Sequence, residues 1–176
     1  PINVPTTIPG LTTVQLTYQV RVALGSELTL RTATYSLIAA DANSGADLSV
    51  SNLTVGTVSV QSPGQLALSD IFAQANVSQG QSFVVTVGVQ NTGQAGILNV
   101  AGTLSFSGAG LTVTPRVTNP TTAGGGQIAN FLFDVTVAAG ALPGPRTASL
   151  SFTAREAGTL ANLSASRAAA GTVNVQ

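Results

Sequence analysis

The sequence predicts an all-β protein, built as a β-sandwich with an N-terminal strand extension. Three observations indicate this fold. Val and Thr dominate the stretches in which apolar and polar residues alternate, and this composition is typical of strands. Turn sequences rich in Gly, Pro and Asn separate these stretches at intervals common in sandwiches. Patterns with helical periodicity are nearly absent, so helices are expected to contribute little.

The clearest strand is predicted over residues 13–23, where apolar and polar residues alternate and one face is continuously apolar. The apolar residues are Val14, Leu16, Tyr18, Val20 and Val22. Further strands are predicted, in chain order, over 27–39, 47–60, 71–77, 82–90, 96–106, 111–117, 128–138, 146–154 and 172–176. The alanine-rich stretch 155–170 is expected to form a loop with a helical turn. The residues predicted to be mostly buried are Val14, Leu16, Val20, Phe83, Val85, Val87, Val89, Leu104, Phe106, Phe131, Phe133, Leu150 and Phe152.

The turn Ser62-Pro63-Gly64 divides the chain into two predicted regions. Residues 1–64 form an N-terminal strand region that includes a candidate donor arm, residues 1–24. Residues 65–176 form the sandwich. Three strands are marginal as an independent domain. We therefore expect their apolar faces to complete the core of the second region or to pair with another molecule.

The residue types that are missing exclude most enzyme chemistry. The chain has no Cys, His, Lys, Met or Trp, so catalytic triads, ordinary zinc sites and Schiff bases are excluded. We expect no enzyme activity and no cofactor. The six arginines are dispersed, which predicts no nucleic-acid partner. The six acidic residues are expected in turns and at rims: Glu27, Asp41, Asp47, Asp70, Asp134 and Glu156.

One stretch has a spacing that resembles part of a calcium-binding loop. Asp41, Asn43 and Asp47 place oxygen ligands at intervals typical of its first half. However, Gly45 stands where an acidic or amide ligand is expected, and Ala46 stands where the sharp bend requires glycine. A polar turn between strands is therefore the preferred interpretation, and we expect that folding needs no metal.

Three sequons could carry N-linked glycans if the host glycosylates exported proteins: Asn52, Asn76 and Asn162. They would then mark residues that face solvent. The chain contains no apolar run of about 18 residues, so no membrane-spanning segment is predicted. It begins Pro1-Ile2-Asn3 without a charged or apolar leader, and we expect any signal peptide to have been removed.

Residues 77–154 carry a more specific pattern. An alternating apolar strand follows Gly80 and ends in the turn Asn91-Thr92-Gly93, and a second alternating strand follows Pro143-Gly144. This pattern resembles the Ig-like surface modules of bacteria and archaea of the CARDB and NEW3 type. The resemblance implies an Ig-like sandwich, at the cell surface or in a secreted protein, with no catalytic residues. We therefore expect an Ig-like or jelly-roll-like sandwich.

Two functions are consistent with these observations. In the first, the chain is a structural subunit of an extracellular filament or surface layer. Its N-terminal arm adds a strand to a neighbouring subunit, so the chain is expected to form a homopolymer, and the low charge favours association. In the second, the chain is a spacer or binding module of a larger secreted enzyme or adhesin. The sequence leaves open whether the N-terminal strand pairs within its own chain or with another.

Overall fold

A computed structural model of the chain describes residues 5–23 and 25–176. Residues 1–4, on which the signal-peptide expectation rests, and Leu24 of the predicted arm lie outside the described residues. The chain divides into two compact units, Pro1–Val60 and Gln61–Gln176. The described residues contain ten strands and no helix, so the all-β prediction is confirmed. The strands are β1 (Leu30–Leu37), β2 (Val50–Ser59), β3 (Leu66–Phe72), β4 (Asn76–Val77), β5 (Ser82–Asn91), β6 (Ile97–Phe106), β7 (Leu111–Pro115), β8 (Ile128–Val137), β9 (Gly144–Glu156) and β10 (Asn162–Val175).

The N-terminal unit contains a two-stranded antiparallel ribbon formed by β1 and β2. The pairing runs from Leu30 opposite Ser59 to Leu37 opposite Val50, with two register shifts between them. The loop that connects the two strands, residues 38–49, is closed by a single bridge between Ala40 and Asp47. Two strands without a covering layer bury little apolar surface, which limits how much such a ribbon can be stabilised by itself.

The C-terminal unit is an Ig-like β-sandwich of two four-stranded sheets. One sheet has the strand order β4-β10-β9-β6, and the other has the order β3-β5-β8-β7. All neighbouring strands are antiparallel except β4 and β10, which pair in parallel over two residues. Along the chain, strands β3 to β7 alternate between the two sheets. Residues distant in sequence therefore meet in one core.

The core of the sandwich follows from strict alternation along the central strands. Every second residue of β5 and β8 is buried, and the residues between them face outward. Phe152 of β9 connects the two sheets, because its ring lies edge-on to Phe131 at 5.0 Å and to Phe133 at 6.3 Å. Such edge-to-face contacts add to the burial of apolar area. The apolar alternation thus fixes which face of each strand enters the core.

Most of the predicted buried set is confirmed. Nine members are buried: Phe83, Val85, Val87, Val89, Leu104, Phe131, Phe133, Leu150 and Phe152. Phe106 packs against the core and is half-buried. For the N-terminal members the prediction is wrong, since Val14 is 37% exposed and Val20 is 81% exposed, while Leu16 is half-buried. No described strand pairs with this segment, so most of its apolar side chains remain uncovered.

Two local predictions also need correction. Residues 12–23 belong to no strand, and only Thr17 forms a single bridge, so the predicted strand over 13–23 is not present. The alanine-rich stretch 155–170 is not a loop, because β10 begins at Asn162 and pairs with β9 through this region. Small side chains suit this strand, since Ala170 is fully buried next to a register shift. Packing therefore overrides the low strand preference of alanine.

Candidate functional site

The candidate assembly residues lie along an extended, largely uncovered segment. Val14, Tyr18, Val20 and Val22 are all exposed, and Leu16 is half-buried. Within the N-terminal unit, the ring of Tyr18 lies edge-on to that of Tyr35 at 6.3 Å. Because the segment forms no ladder, most of its backbone N–H and C=O groups have no strand partner among the described residues. The segment thus offers both apolar side chains and backbone groups to a binding partner.

The β1–β2 ribbon extends this apolar surface. Every residue of β2 is exposed, including Leu53, Val55 and Val58, each of which leaves more than half of its surface uncovered. On β1, Leu30 is 63% exposed. An exposed apolar area of this extent usually marks a surface that another protein segment covers. We refer to the exposed apolar residues of segment 12–23 and of β1 and β2 as the N-terminal apolar face.

The candidate calcium residues lie in the loop between β1 and β2. The Asp41 carboxylate accepts hydrogen bonds from the Ser44 amide at 2.7 Å, from the Ser44 hydroxyl at 2.7 Å and from the Asn43 amide at 3.1 Å. These bonds, above all the one from the Ser44 hydroxyl, lower the pKa of Asp41. Asp47 accepts from the Ser49 amide at 2.8 Å, and its bonds with Ser49 lower its pKa. The described residues contain no cluster of three or more His, Cys, Asp or Glu.

The other four acidic residues are each engaged locally. Glu27, Asp134 and Asp70 pair with Arg31, Arg116 and Arg167 at 3.0, 2.7 and 2.7 Å, respectively. Bonding to Arg116 lowers the pKa of Asp134. These ion pairs are exposed, so each contributes little to stability.

Glu156 differs from the other acidic residues because its side chain is only 4% exposed. Its carboxylate accepts from the Thr159 hydroxyl at 2.6 Å and from the Thr159 amide. These two bonds lower the pKa of Glu156, although burial acts in the opposite direction. The carboxylate therefore closes the turn between β9 and β10 in its ionised form.

The three sequon asparagines are exposed. Asn52 lies in β2, where its φ of 56° is in the left-handed region, Asn76 lies in the short β4, and Asn162 begins β10. Solvent exposure is what a glycan would require of these side chains.

The chain enters and leaves the sandwich at opposite ends of β5. At the entrance, Ser62 and Gln65 bond to the turn after β5: the Ser62 amide donates to the Gln94 side chain at 3.0 Å, and the Gln65 amide donates to the Asn91 side chain at 3.0 Å. At the exit, Gln176 accepts from the Gln79 amide at 3.3 Å, just before β5 begins. Ten residues of strand correspond to about 30 Å. The first and last residues of the sandwich are therefore separated by about this distance.

Two shallow depressions occur on the sandwich. One, of about 340 Å³, is lined by Asn99 and by residues 153–155 and 162–164. The other, of about 300 Å³, is lined by residues of the loops 108–110 and 138–142 and by Arg146. Both are open to solvent, and neither collects acidic residues. Among the described residues, no helix is long and apolar enough to cross a membrane.

Asn91, which the sequence predicts only as a turn residue, has a structural role in the sandwich. Its side chain is fully buried, and it joins the entering chain, its own turn and the glycine-rich turn that includes Gly124. A buried amide can satisfy several backbone groups at once. In the sequence, the sign of this role is that Asn91 ends the series of alternate, otherwise apolar positions along β5 that face the core.

Comparison of the sequence with models of protein families and with curated proteins gave no match.

Proposed function

We propose that the chain is a non-catalytic structural protein in which the Ig-like sandwich acts as a spacer module of a larger cell-surface or secreted protein. The resemblance to CARDB and NEW3 modules supports this role. The residue composition supports it as well, since a chain without His, Cys and Lys cannot form a Ser-His-Asp triad, a Cys-His pair or a Schiff base. No cofactor is needed for this role.

The observation that carries the proposal is the placement of the two connections of the sandwich. The entering residues lie beside Asn91 and the last residue lies beside Gln79, at opposite ends of β5. Connections at opposite ends allow such modules to be joined end to end. Each module would then add about 30 Å of length, which is what a spacer requires.

One edge of the sandwich also suits a module that stays separate from its neighbours. Arg167 of β10 donates to the Leu68 carbonyl of β3 at 3.2 Å and forms an ion pair with Asp70 at 2.7 Å. The Arg167 side chain therefore covers the side of the sandwich where β3 and β10 meet. A charged residue over a strand edge discourages pairing with other molecules.

The proposal can be tested by the shape of a tandem protein. Two copies of residues 61–176 are joined directly, and their maximum dimension is measured by small-angle X-ray scattering against that of a single copy. An elongated particle, longer than one copy by about 30 Å, supports a spacer. A control joins the same copies through a long Gly/Ser linker, which permits any arrangement. A compact, side-by-side pair in the direct fusion would rule the spacer out.

A second candidate is assembly into a filament by strand addition, and the exposure of Val20 and Val22 favours it. The acceptor would be β6, which is an edge strand. Its neighbour β9 occupies one side, and from Ala101 to Phe106 the opposite side has no strand among the described residues. A donated strand would bond to the outward backbone groups there. In this case the intact chain should sediment as a polymer, and deletion of residues 1–24 should leave it monomeric.

A further inference from the structure

The N-terminal unit is related in sequence to the second half of the sandwich. Residues 31–61 read RTATYSLIAADANSGADLSVSNLTVGTVSVQ, and residues 146–176 read RTASLSFTAREAGTLANLSASRAAAGTVNVQ. The two stretches align without a gap and are identical at 15 of 31 positions. The alignment continues upstream at the same offset of 115 residues. There, the apolar residues Val14, Leu16, Tyr18, Val20 and Val22 align with Ala129, Phe131, Phe133, Val135 and Val137 of β8.

The strand pairing repeats at the same offset. In the N-terminal ribbon, Leu30 lies opposite Ser59 and Leu37 lies opposite Val50. The equivalent pairs in the sandwich are Pro145 opposite Asn174 and Phe152 opposite Ala165, and both are present in the β9–β10 ladder. The ribbon β1–β2 is therefore a second copy of β9–β10, with the same register at both ends.

The turn between the two strands also repeats. The Asp41 carboxylate accepts from the Ser44 amide and hydroxyl, and the Glu156 carboxylate accepts from the Thr159 amide and hydroxyl. The Asp41 amide donates to the carbonyl of Ala46 at 2.9 Å, and the Glu156 amide donates to the equivalent carbonyl, also at 2.9 Å. The last turn residues match as well, with φ of 69° at Gly45 and 59° at Leu160. Shared composition alone would not reproduce these bonds.

The two copies differ in burial. Val20 is 81% exposed, whereas its equivalent Val135 is fully buried. Val58 is 51% exposed, whereas its equivalent Val173 is fully buried. The N-terminal apolar face therefore consists of residues that belong to a core in the second copy.

The missing neighbours explain this difference. In the sandwich, β8 lies between β5 and β7, and both of these strands belong to residues 62–115. Residues 1–61 do not include an equivalent of residues 62–115. Segment 12–23 therefore forms no ladder, while β1 and β2, which need only each other, still pair. The same missing segment would supply the opposite face of the core.

We propose that residues 1–61 are the second half of a module of the same kind as residues 62–176. The occupant of the N-terminal apolar face is a polypeptide equivalent to residues 62–115, linked directly before residue 1. In the complete module, residue 115 is joined directly to residue 116, the equivalent of residue 1, so this linkage reproduces a connection already present. The inference rests on the proposed spacer function, since it makes the protein a series of such modules.

The test adds a copy of residues 62–115 directly before residue 1 of the full chain. The only two tyrosines, Tyr18 and Tyr35, both lie in the N-terminal unit and align with buried Phe133 and Leu150. Near-ultraviolet circular dichroism of tyrosine therefore reports on this unit alone. In the extended protein we expect a strong tyrosine signal that is lost in one cooperative unfolding transition. In the 176-residue chain we expect a weak signal without such a transition.

A matched control has the same length but carries Phe83→Asp and Val87→Asp, numbered as in the original copy, in the added segment only. This control should behave like the 176-residue chain. If the extended protein shows no cooperative tyrosine transition, the inference is wrong. If the 176-residue chain itself buries its tyrosines as its concentration rises, the occupant is a second copy of the chain, and the inference is again wrong.

A second variant tests whether the added segment packs against the N-terminal apolar face or simply fails to fold. Val20→Asp should leave the melting of the 176-residue chain unchanged, because this side chain is already exposed. In the extended protein the same substitution should abolish the tyrosine transition. If Val20→Asp has equally small effects on the unfolding of both proteins, the inference is wrong. None of these readouts depends on the length of the tandem protein, so failure here and failure of the spacer proposal are distinguishable.

Discussion

The side-chain oxygen of Asn91 accepts a hydrogen bond from the backbone amide of Gln65 at 3.0 Å. The same oxygen accepts from the Gly93 amide at 3.1 Å, and the amide nitrogen donates to the carbonyls of Ala95 and Gly124 at 2.8 and 3.2 Å. One buried side chain thus joins the chain entering the sandwich to the turn after β5 and to the glycine-rich turn before β8. The position at which the chain enters the sandwich therefore depends on Asn91.

Replacing Asn91 by alanine should destabilise the sandwich by about 2 to 4 kcal/mol, because several buried backbone groups lose their partners at once. Urea unfolding of residues 61–176, followed by circular dichroism, measures the change. Asn130 of β8 is exposed and serves as the control. Asn130→Ala should change the free energy of unfolding by less than about 0.5 kcal/mol. Equal effects of the two substitutions would contradict the role assigned to Asn91.

Glu156 should make stability depend on pH at the acidic end. Its hydrogen bonds with Thr159 lower its pKa in the folded state relative to the unfolded value of about 4.3. The contribution of the carboxylate is therefore complete above about pH 4.3 and is lost as the pH falls through the lower folded pKa. We expect Glu156→Gln to lower the melting temperature at pH 7 and to have a smaller effect at pH 3. A constant difference across this range would show that ionisation of Glu156 does not matter.

Calcium should not affect the stability of the chain. Asp41 already bonds to Ser44 and Asn43 within its own loop. The equivalent turn at Glu156 is built in the same way without the calcium-like spacing. Melting curves with excess calcium and with excess chelator should coincide. A higher midpoint with calcium in the full chain, lost in an Asp41→Asn variant, would establish a calcium site instead.

The sequence was sufficient to predict the sandwich. It was not sufficient to predict that residues 12–23, near the N-terminus of the chain, form no strand. The alternation over residues 13–23 wrongly predicts a buried strand there, although the residues at the same positions of the repeat, Phe131 and Val135, are buried in β8. A strand also needs partners, and periodicity within one segment does not show whether these are present. Comparison of the chain with itself at a fixed offset would have shown the repeat. The strand over 162–170 was missed because its small residues pack at a register shift that only the fold reveals.

Gly102 should tolerate no side chain, because it lies directly against the ring that joins the two sheets. A Cβ atom at this position would lie 2.1 Å from the nearest ring carbon of Phe152, far inside van der Waals contact. Phe152 is fully buried and cannot move away without disturbing Phe131 and Phe133. We therefore expect Gly102→Ala to destabilise the sandwich by about 1 to 3 kcal/mol.

Gly140 provides the matched control for this substitution. No atom beyond its immediate neighbours lies within 4 Å of a Cβ built there, and its φ is not positive. Gly140→Ala should be neutral or stabilising by up to about 1 kcal/mol, because alanine restricts the unfolded chain. Chemical denaturation of both variants of residues 61–176 measures the difference. The double variant Gly102→Ala with Phe152→Leu tests the mechanism, since a smaller side chain at 152 leaves room for the added methyl group. If this double variant is less stable than Phe152→Leu alone by as much as Gly102→Ala is less stable than the parent, the ring contact is not the cause.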